Sequence, residues 1–330
     1  MNVLVTGATG FIGRHLVHEL IHKGFHVRCL IHRRPLDDKR LEKVVEIVTG
    51  DITDVSSVRE ALRDIDVVFH LAALLGRWQS EYPEHEYYRI NFLGTKLLVK
   101  QCMKAGVTHF IYLSSTGVFG RVKEVLADES SPCNPIFPYE KSKYLAELVV
   151  RSAVENGGFP ATIIRASHVY GPGDMNTLKI LKVIKKLKIF PLINGGKSIF
   201  QPIYVKDLVE ALILCMEKKE ISIGKTYIAA GSERVTFRDF ILLSAELLKV
   251  PLLCFSIPTS LANFLASACE ATFTALHREP PLTRSRVEFF IRDQCYRISK
   301  LCKELGFKPR TSLKDGLQKT ISWYKKKAML

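Results

Sequence analysis

The sequence predicts an α/β protein, a doubly wound parallel sheet with helices on both faces and a smaller, mostly helical C-terminal domain. Three observations carry this. Short apolar runs alternate with helical patterns through the first two thirds of the 330 residues. Those runs are nearly continuous in Val, Ile and Leu, as expected of strands covered on both faces. The first of them, NVLVTG, breaks into glycines spaced Gly7-x-x-Gly10-x-x-Gly13 as a helix begins.

In chain order, NVLVTG opens the sheet and GRHLVHELIHKG is the helix after it. HVRCLI and VVEIVTGDI are the next strands, and SVREALRDI is a short helix. DVVFHLAA, LGTKLLVKQCMKAG, HFIYLSS, YEKSKYLAELVVRSAVENGG and ATIIRAS continue the alternation of strand and helix, so the connections are crossovers and the strands parallel. After Gly171-Pro172-Gly173 the rhythm changes. KILKVIKKLK (179–188) reads as an amphipathic helix with Ile180, Leu181, Ile184 and Leu187 inward and Lys182, Lys185 and Lys186 on a solvated face. A Gly-Gly turn follows at 195 and 196, and QPIYVKDLVEALILCMEK returns to a strand-helix pattern. The expected division is a first domain of residues 1–170, joined again by 200–230, and a second of 171–199 and 231–330.

Composition narrows the class. A 47% hydrophobic content excludes a disordered or fibrous chain. Eight cysteines lie scattered with no CxxC pair, which argues against a metal site or disulfide framework and fits a reducing compartment, the cytoplasm. With a strand starting at Asn2, a removable signal peptide is not expected. The net charge of +15 is spread along the chain, so a nucleic-acid partner is not expected either.

The glycine pattern has a physical reading. Gly7 allows a tight turn, Gly10 lets backbone lie against a pyrophosphate, and Gly13 lets helix pack on strand, while the helix N-terminus offers free N–H groups to a diphosphate. TGATGFIG, in this GxxGxxG form, resembles the start of the extended short-chain dehydrogenase/reductase family, also called the NAD-dependent epimerase/dehydratase family. The resemblance implies a Rossmann sheet and a dinucleotide site built from Gly7, Thr9, Gly10, Phe11, Ile12 and Gly13. It also places Asp51 and Ile52 at the adenine and Leu71, Ala72 and Ala73 of HLAA along the cofactor. After the second strand come Arg33 and Arg34, with no acid before Asp37. Two guanidiniums attract a 2′-phosphate that a carboxylate would repel, so NADP is expected ahead of NAD.

In PYEKSKYLAE, Tyr139 and Lys143 stand four apart on one helix face. A phenol titrates near about 10, and exchanging protons at neutral pH calls for a nearby cation. The family resemblance makes Tyr139 the general acid/base and Lys143 the residue that lowers its pKa and holds the nicotinamide ribose. It also asks for a hydroxyl at the preceding strand end, where IYLSSTGVFG offers Ser114, Ser115 and Thr116. Matching the family's run in register selects Ser115, with Ser114 next. RASHVYGPGD resembles the segment beside the nicotinamide, which puts the backbone of Ser167 and His168 at the cofactor and leaves the His168 side chain structural.

On the substrate side, Phe200-Gln201-Pro202 stands where nucleotide-sugar epimerases of the family often carry an Arg-Asp pair. Residues 251–276 contain one charge, Glu270, and are too interrupted by Pro258 and Asn263 to span a membrane. They read first as a buried core helix, and otherwise as an apolar substrate wall or a segment at a bilayer surface. The closing segments resemble the dihydroflavonol-reductase-like and 3β-hydroxysteroid-dehydrogenase-like branches. The expected activity is hydride transfer between nicotinamide and a secondary alcohol or ketone of a small, mainly apolar molecule. The alternatives are a nucleotide-sugar epimerase or dehydratase with tightly held NAD, and a non-catalytic dinucleotide-binding scaffold. A homodimer and peripheral membrane contact are the expected associations beyond the small-molecule substrate.

Overall fold

The computed structural model describes residues 1–36, 38–75, 82–121, 126–276, 278 and 280–330; Asp37 lies outside them. Six strands alternate with helices in the first half: β1 Asn2–Thr6, β2 His26–Ile31, β3 Glu46–Thr49, β4 Val67–His70, β5 His109–Ser115 and β6 Ala161–Ala166. A seventh, Thr226–Ala229, joins them from the C-terminal half. The sheet is parallel throughout, in the order Thr226–Ala229, β6, β5, β4, β1, β2, β3. Winding reverses between β1 and β4, and the crevice beyond their C-terminal ends is where doubly wound sheets bind ligands.

Alternate residues of each strand enter different cores. Val3 and Val5 of β1 pack with Leu16 and Leu20 of helix Phe11–His22 and with Leu208 and Leu212 of helix Val205–Glu217. Leu4 faces the other way, toward Val68, Leu98, Phe110 and Val150. Leu301, Leu305 and Phe307, far along the chain, also pack into the first of these cores. A separate aromatic core gathers Tyr170, Phe190, Phe200, Phe237, Phe240 and Tyr324. The open edge strand Thr226–Ala229 is blocked by side chains: Ile228 N–H donates to the Glu129 carboxylate at 2.9 Å, and Lys300 Nζ donates to the Thr226 carbonyl at 2.9 Å.

The basic helix, Met175–Leu187, buries Leu178, Leu181 and Ile184 and exposes Lys182, Lys185 and Lys186, but Ile180 is only partly buried and Leu187, expected inward, is exposed in the last turn. The apolar segment after Pro251 departs from its first reading. Its helix, Thr259–Ala275, is not in the core: only Ala262 and Ala266 are buried. Those two small residues seat the helix on Val287 of helix Arg284–Ile291, and the larger Leu261, Phe264 and Leu265 point outward.

Candidate active site

The crevice is built from the backbone outward. Gly7, at φ +75°, has Ala72 N only 2.7 Å from where a Cβ would sit, so the turn after β1 and the chain leaving β4 touch as bare backbone. A Cβ on Gly13 would stand 2.1 Å from Gly7 O. Helix and loop are therefore closed on each other. Leu71 N–H donates to Thr6 O at 3.1 Å and Ala72 N–H to Thr6 Oγ1 at 3.3 Å, which fixes HLAA beside the glycines. Gly10 caps helix Phe11–His22 with no side-chain acceptor, and its first turn carries no acid. A diphosphate fits that end, where N–H groups point outward without a competing carboxylate.

The segment 171–173 lies against the same helix: His15 Nε2 is 2.8 Å from Pro172 O, and a Cβ on Gly173 would meet Arg14 and Phe11. Behind it, Ser167 Oγ donates to Gln201 O at 2.7 Å, and the His168 ring sits against Phe200 and Phe289. Arg33 and Arg34 are exposed just past β2. Asp51 is half-buried, and its Oδ1 accepts both the N–H and the hydroxyl of Thr53 at 2.9 Å. Burial pushes its pKa up, but those two bonds and the His32 and Arg89 charges outweigh burial and hold it below the usual value. One of its oxygens thus closes a turn. Ile52 is buried, and Ala73 is exposed.

Tyr139 and Lys143 lie in the first two turns of helix Pro138–Gly157. Pro138 suits the opening position, and the Glu140 carboxylate reaches back to accept Ile136 N–H at 2.9 Å. The three hydroxyls after Leu113 part ways because neighbouring strand residues point to opposite faces. Ser115 lies beside Tyr139, where it lowers the phenol's pKa, and accepts Gly117 N–H at 3.0 Å. Ser114 turns back and donates to Glu147 Oε2 at 3.0 Å, and Thr116 lies beside Tyr296, whose pKa it lowers. Ser115 alone of the three meets the phenol.

The electrostatics differ from the sequence expectation. Burial pushes Tyr139 up to about 12, with the Glu140 charge adding to the rise and Ser115 opposing it. Burial also pulls Lys143 down to about 7, against the raising effect of Glu147. Lys143 Nζ donates to Leu113 O at 2.6 Å and lies 4.3 Å from the centre of the Tyr112 ring. Desolvation, rather than the ammonium, sets the phenol here. Since the folded value of Lys143 lies below its ordinary 10.5, the stability linked to it is present above pH 10.5 and is lost as pH falls toward about 7. Lys143→Met should therefore gain in melting midpoint over the parent as pH drops through that window, then hold level below it. A gain that does not vary with pH would count against a buried ammonium.

One further arrangement has no clear signal in the sequence beyond polar residues on apolar elements. Thr6 Oγ1 is 2.7 Å from His70 Nδ1, and His70 Nε2 is 2.8 Å from Thr95 Oγ1. Burial first, then the Lys143 charge, lower the His70 pKa to about 3, so the ring is neutral. Thr95 donates to Asn91 O, Asn91 Nδ2 donates to Ser142 Oγ at 2.9 Å, and Ser142 donates to Tyr139 O at 2.8 Å. Asn91 also holds Leu74 through both its N–H and its carbonyl. It sits in a π-helical stretch, Tyr88–Gly94, a geometry often found at functional sites. This chain of bonds runs from the first strand to the backbone of the candidate acid. Among the described residues no cluster of three or more His, Cys, Asp or Glu could hold a metal.

These features define a class, an NAD(P)-dependent enzyme on the Rossmann fold. More narrowly, the family model described as NAD dependent epimerase/dehydratase matches residues 3–230, and the chain belongs to that family, the extended short-chain dehydrogenase/reductases. It is similar to 2-alkyl-3-oxoalkanoate reductase of Stenotrophomonas maltophilia, 27% identical over 330 residues, covering 97% of this chain and 98% of the relative. It is also similar to the decarboxylating sterol-4-alpha-carboxylate 3-dehydrogenase erg26 of Schizosaccharomyces pombe, 25% identical over 337 residues and covering 98% and 97%. Among solved structures, MoeE5 in complex with UDP-glucuronic acid and NAD superposes with a TM-score of 0.80 at 26% identity, over 99% of this chain and 100% of that one.

Proposed function

We propose that this enzyme transfers hydride between NADP(H) and the carbinol or carbonyl carbon of a small, mainly apolar molecule. The observation that carries the reading is the placement of Ser115, at the end of β5, beside Tyr139, where it lowers the phenol's pKa, with Lys143 one turn further along the helix. The nicotinamide, when bound, supplies or accepts the hydride. Tyr139, protonated across the neutral range, gives its proton to the substrate oxygen in reduction and takes one back in oxidation. Ser115 holds that oxygen in line, Lys143 orients the ribose, and Gly7, Gly10 and Gly13 make room for the diphosphate. Ser167 and His168 line the nicotinamide side, and Asp51 with Ile52 borders the adenine.

An apolar substrate is supported from two directions. Gln201 is buried and wholly engaged inside the protein: Nε2 donates to Gly231 O at 2.6 Å and Oε1 accepts Tyr296 N–H at 2.9 Å. It leaves no cation at the position where a sugar nucleotide's diphosphate would call for one. The names of the reductase and sterol dehydrogenase relatives point the same way. The likeness to MoeE5 favours the second reading, a nucleotide-sugar enzyme that keeps its NAD. We further assign 171–199 and 231–330 to the substrate side of the crevice, apart from Leu301, Leu305 and Phe307, which pack into the core of the first domain.

Nicotinamide absorbance separates these readings. Net oxidation of NADPH with a ketone panel supports the first, and retained cofactor with no net change supports the second. Arg33→Ser with Arg34→Ser should raise KM for NADPH by about 10- to 100-fold, the worth of one charge-assisted hydrogen bond, and leave NADH little changed. An unchanged KM for NADPH would remove both arginines from the cofactor site.

A further inference from the structure

Between Met175 and Lys206 the chain carries seven lysines and no acidic residue. This stretch supplies one strand of a small parallel ladder, Ile189–Ile193 beside Leu253–Ile257. Register sets Leu253 against Ile189, Phe255 against Pro191, and Ile257 against Ile193. With a period of two, one face of the ladder is entirely apolar. Its far end, Ile193 and Ile257, is covered by Ala262, Ala266 and Val287. The near end is bare, with Leu253 64% and Phe255 48% exposed.

Helix Thr259–Ala275 extends that face through Leu261, Leu265 and Phe264, the last 70% exposed. Exposed large apolar side chains on a ladder and a helix that pack together at Ile193, Ile257, Ala262 and Ala266 mark a contact site. It carries almost no charge of its own, since Glu270 is held by Arg284 at 2.9 Å. Its border is cationic. The helices entering the two ladder strands end on exposed Lys188 and Lys249, and Lys185 and Lys186 fill the last turn of the first. The nearest acid on the second helix, Glu246, is 3.5 Å from Lys314.

We propose that this face docks on an anionic phospholipid bilayer, with Leu253, Phe255 and Phe264 entering the interface and Lys185, Lys186, Lys188 and Lys249 at the headgroups. Charge selects lipid over a second copy of the chain, because a partner of the same +15 charge would bring a matching cationic border. The docking stands apart from the hydride chemistry. It is read with no substrate or cofactor present, so either can fail without the other.

The test is co-sedimentation of the full chain with vesicles of phosphatidylcholine alone, or with about one-third phosphatidylserine. The bound fraction should rise about tenfold or more with phosphatidylserine and fall with added salt. It should return to the phosphatidylcholine level in Leu253→Asp/Phe264→Asp and in Lys185→Glu/Lys188→Glu, with circular dichroism unchanged. If the aspartate pair misfolds, the lysine pair, wholly on the surface, still decides. Equal binding to both vesicles, or to neither, overturns the proposal. So does a parent dimer that dissociates in the aspartate variant without vesicle binding, which would assign the face to a second copy.

Discussion

Tyr139→Phe should lower turnover about 100- to 10,000-fold, the range that general acid–base catalysis supplies, and leave the fold and cofactor binding in place. The substitution removes one oxygen from a ring that stays packed, and the group it deprives is Ser115, which keeps its bond from Gly117 N–H. Little else should move. Burial holds the phenol at about 12, so the parent keeps its acid protonated through the neutral range, and reduction should not lose its proton donor there. Oxidation needs the phenolate and should quicken as pH rises. Single-turnover kinetics with bound NADPH checks the first point. Turnover near the parent's in Tyr139→Phe would exclude this residue as the acid and with it the proposed reaction.

Arg165→Met should destabilise the protein by about 3 kcal/mol, the low end for breaking a buried ion pair, because the buried Glu147 carboxylate then keeps only the partly exposed Arg151, at 2.8 Å, as its cationic partner. Arg165 is 1% exposed and Glu147 is fully buried, and the guanidinium bonds both carboxylate oxygens from Nε at 3.1 and 3.2 Å. The same guanidinium lies 4.7 Å from the Phe119 ring centre. For a chain of this length the loss amounts to about 4 °C in melting midpoint. Replacing both members with apolar residues, Arg165→Met with Glu147→Leu, should recover only part of it, since the buried charge is gone but Ser114 and Arg151 lose their acceptor. Activity should fall in the single variant as well, because Glu147 also anchors Ser114, the neighbour of Ser115. A single variant as stable as its parent would show that the pair does not hold β6 to the catalytic helix.

Much of the scaffold is legible in the sequence because its signals are local. A strand buried on both faces must be apolar along its length, and a turn that meets another backbone must be glycine, as the 2.7 Å approach at Gly7 shows. The spacing of Tyr139 and Lys143 is likewise a property of one helix. What escapes is set by contacts between distant segments. Ser114 and Ser115 are the same residue type side by side, and only the way β5 meets helix Pro138–Gly157 sends one to Glu147 and the other to Tyr139. The Thr6–His70–Thr95–Asn91–Ser142 chain draws on five elements. No spacing rule covers it.

The apolar run at 251–276 gives the same lesson in reverse. Composition suggests a core helix, but whether an apolar face is covered depends on what packs there, and only Ala262 and Ala266 find a neighbour close enough to bury them. By itself, the sequence determined the parallel sheet, the glycine turn and the Tyr-Lys pair, since each follows from the periodicity or steric limits of a short segment. Tertiary structure alone decided which serine meets the phenol, how far burial moves the phenol and the ammonium, and which apolar side chains stay in solvent. Dehydration and exposure are properties of the whole packed molecule, and no short stretch of chain contains them.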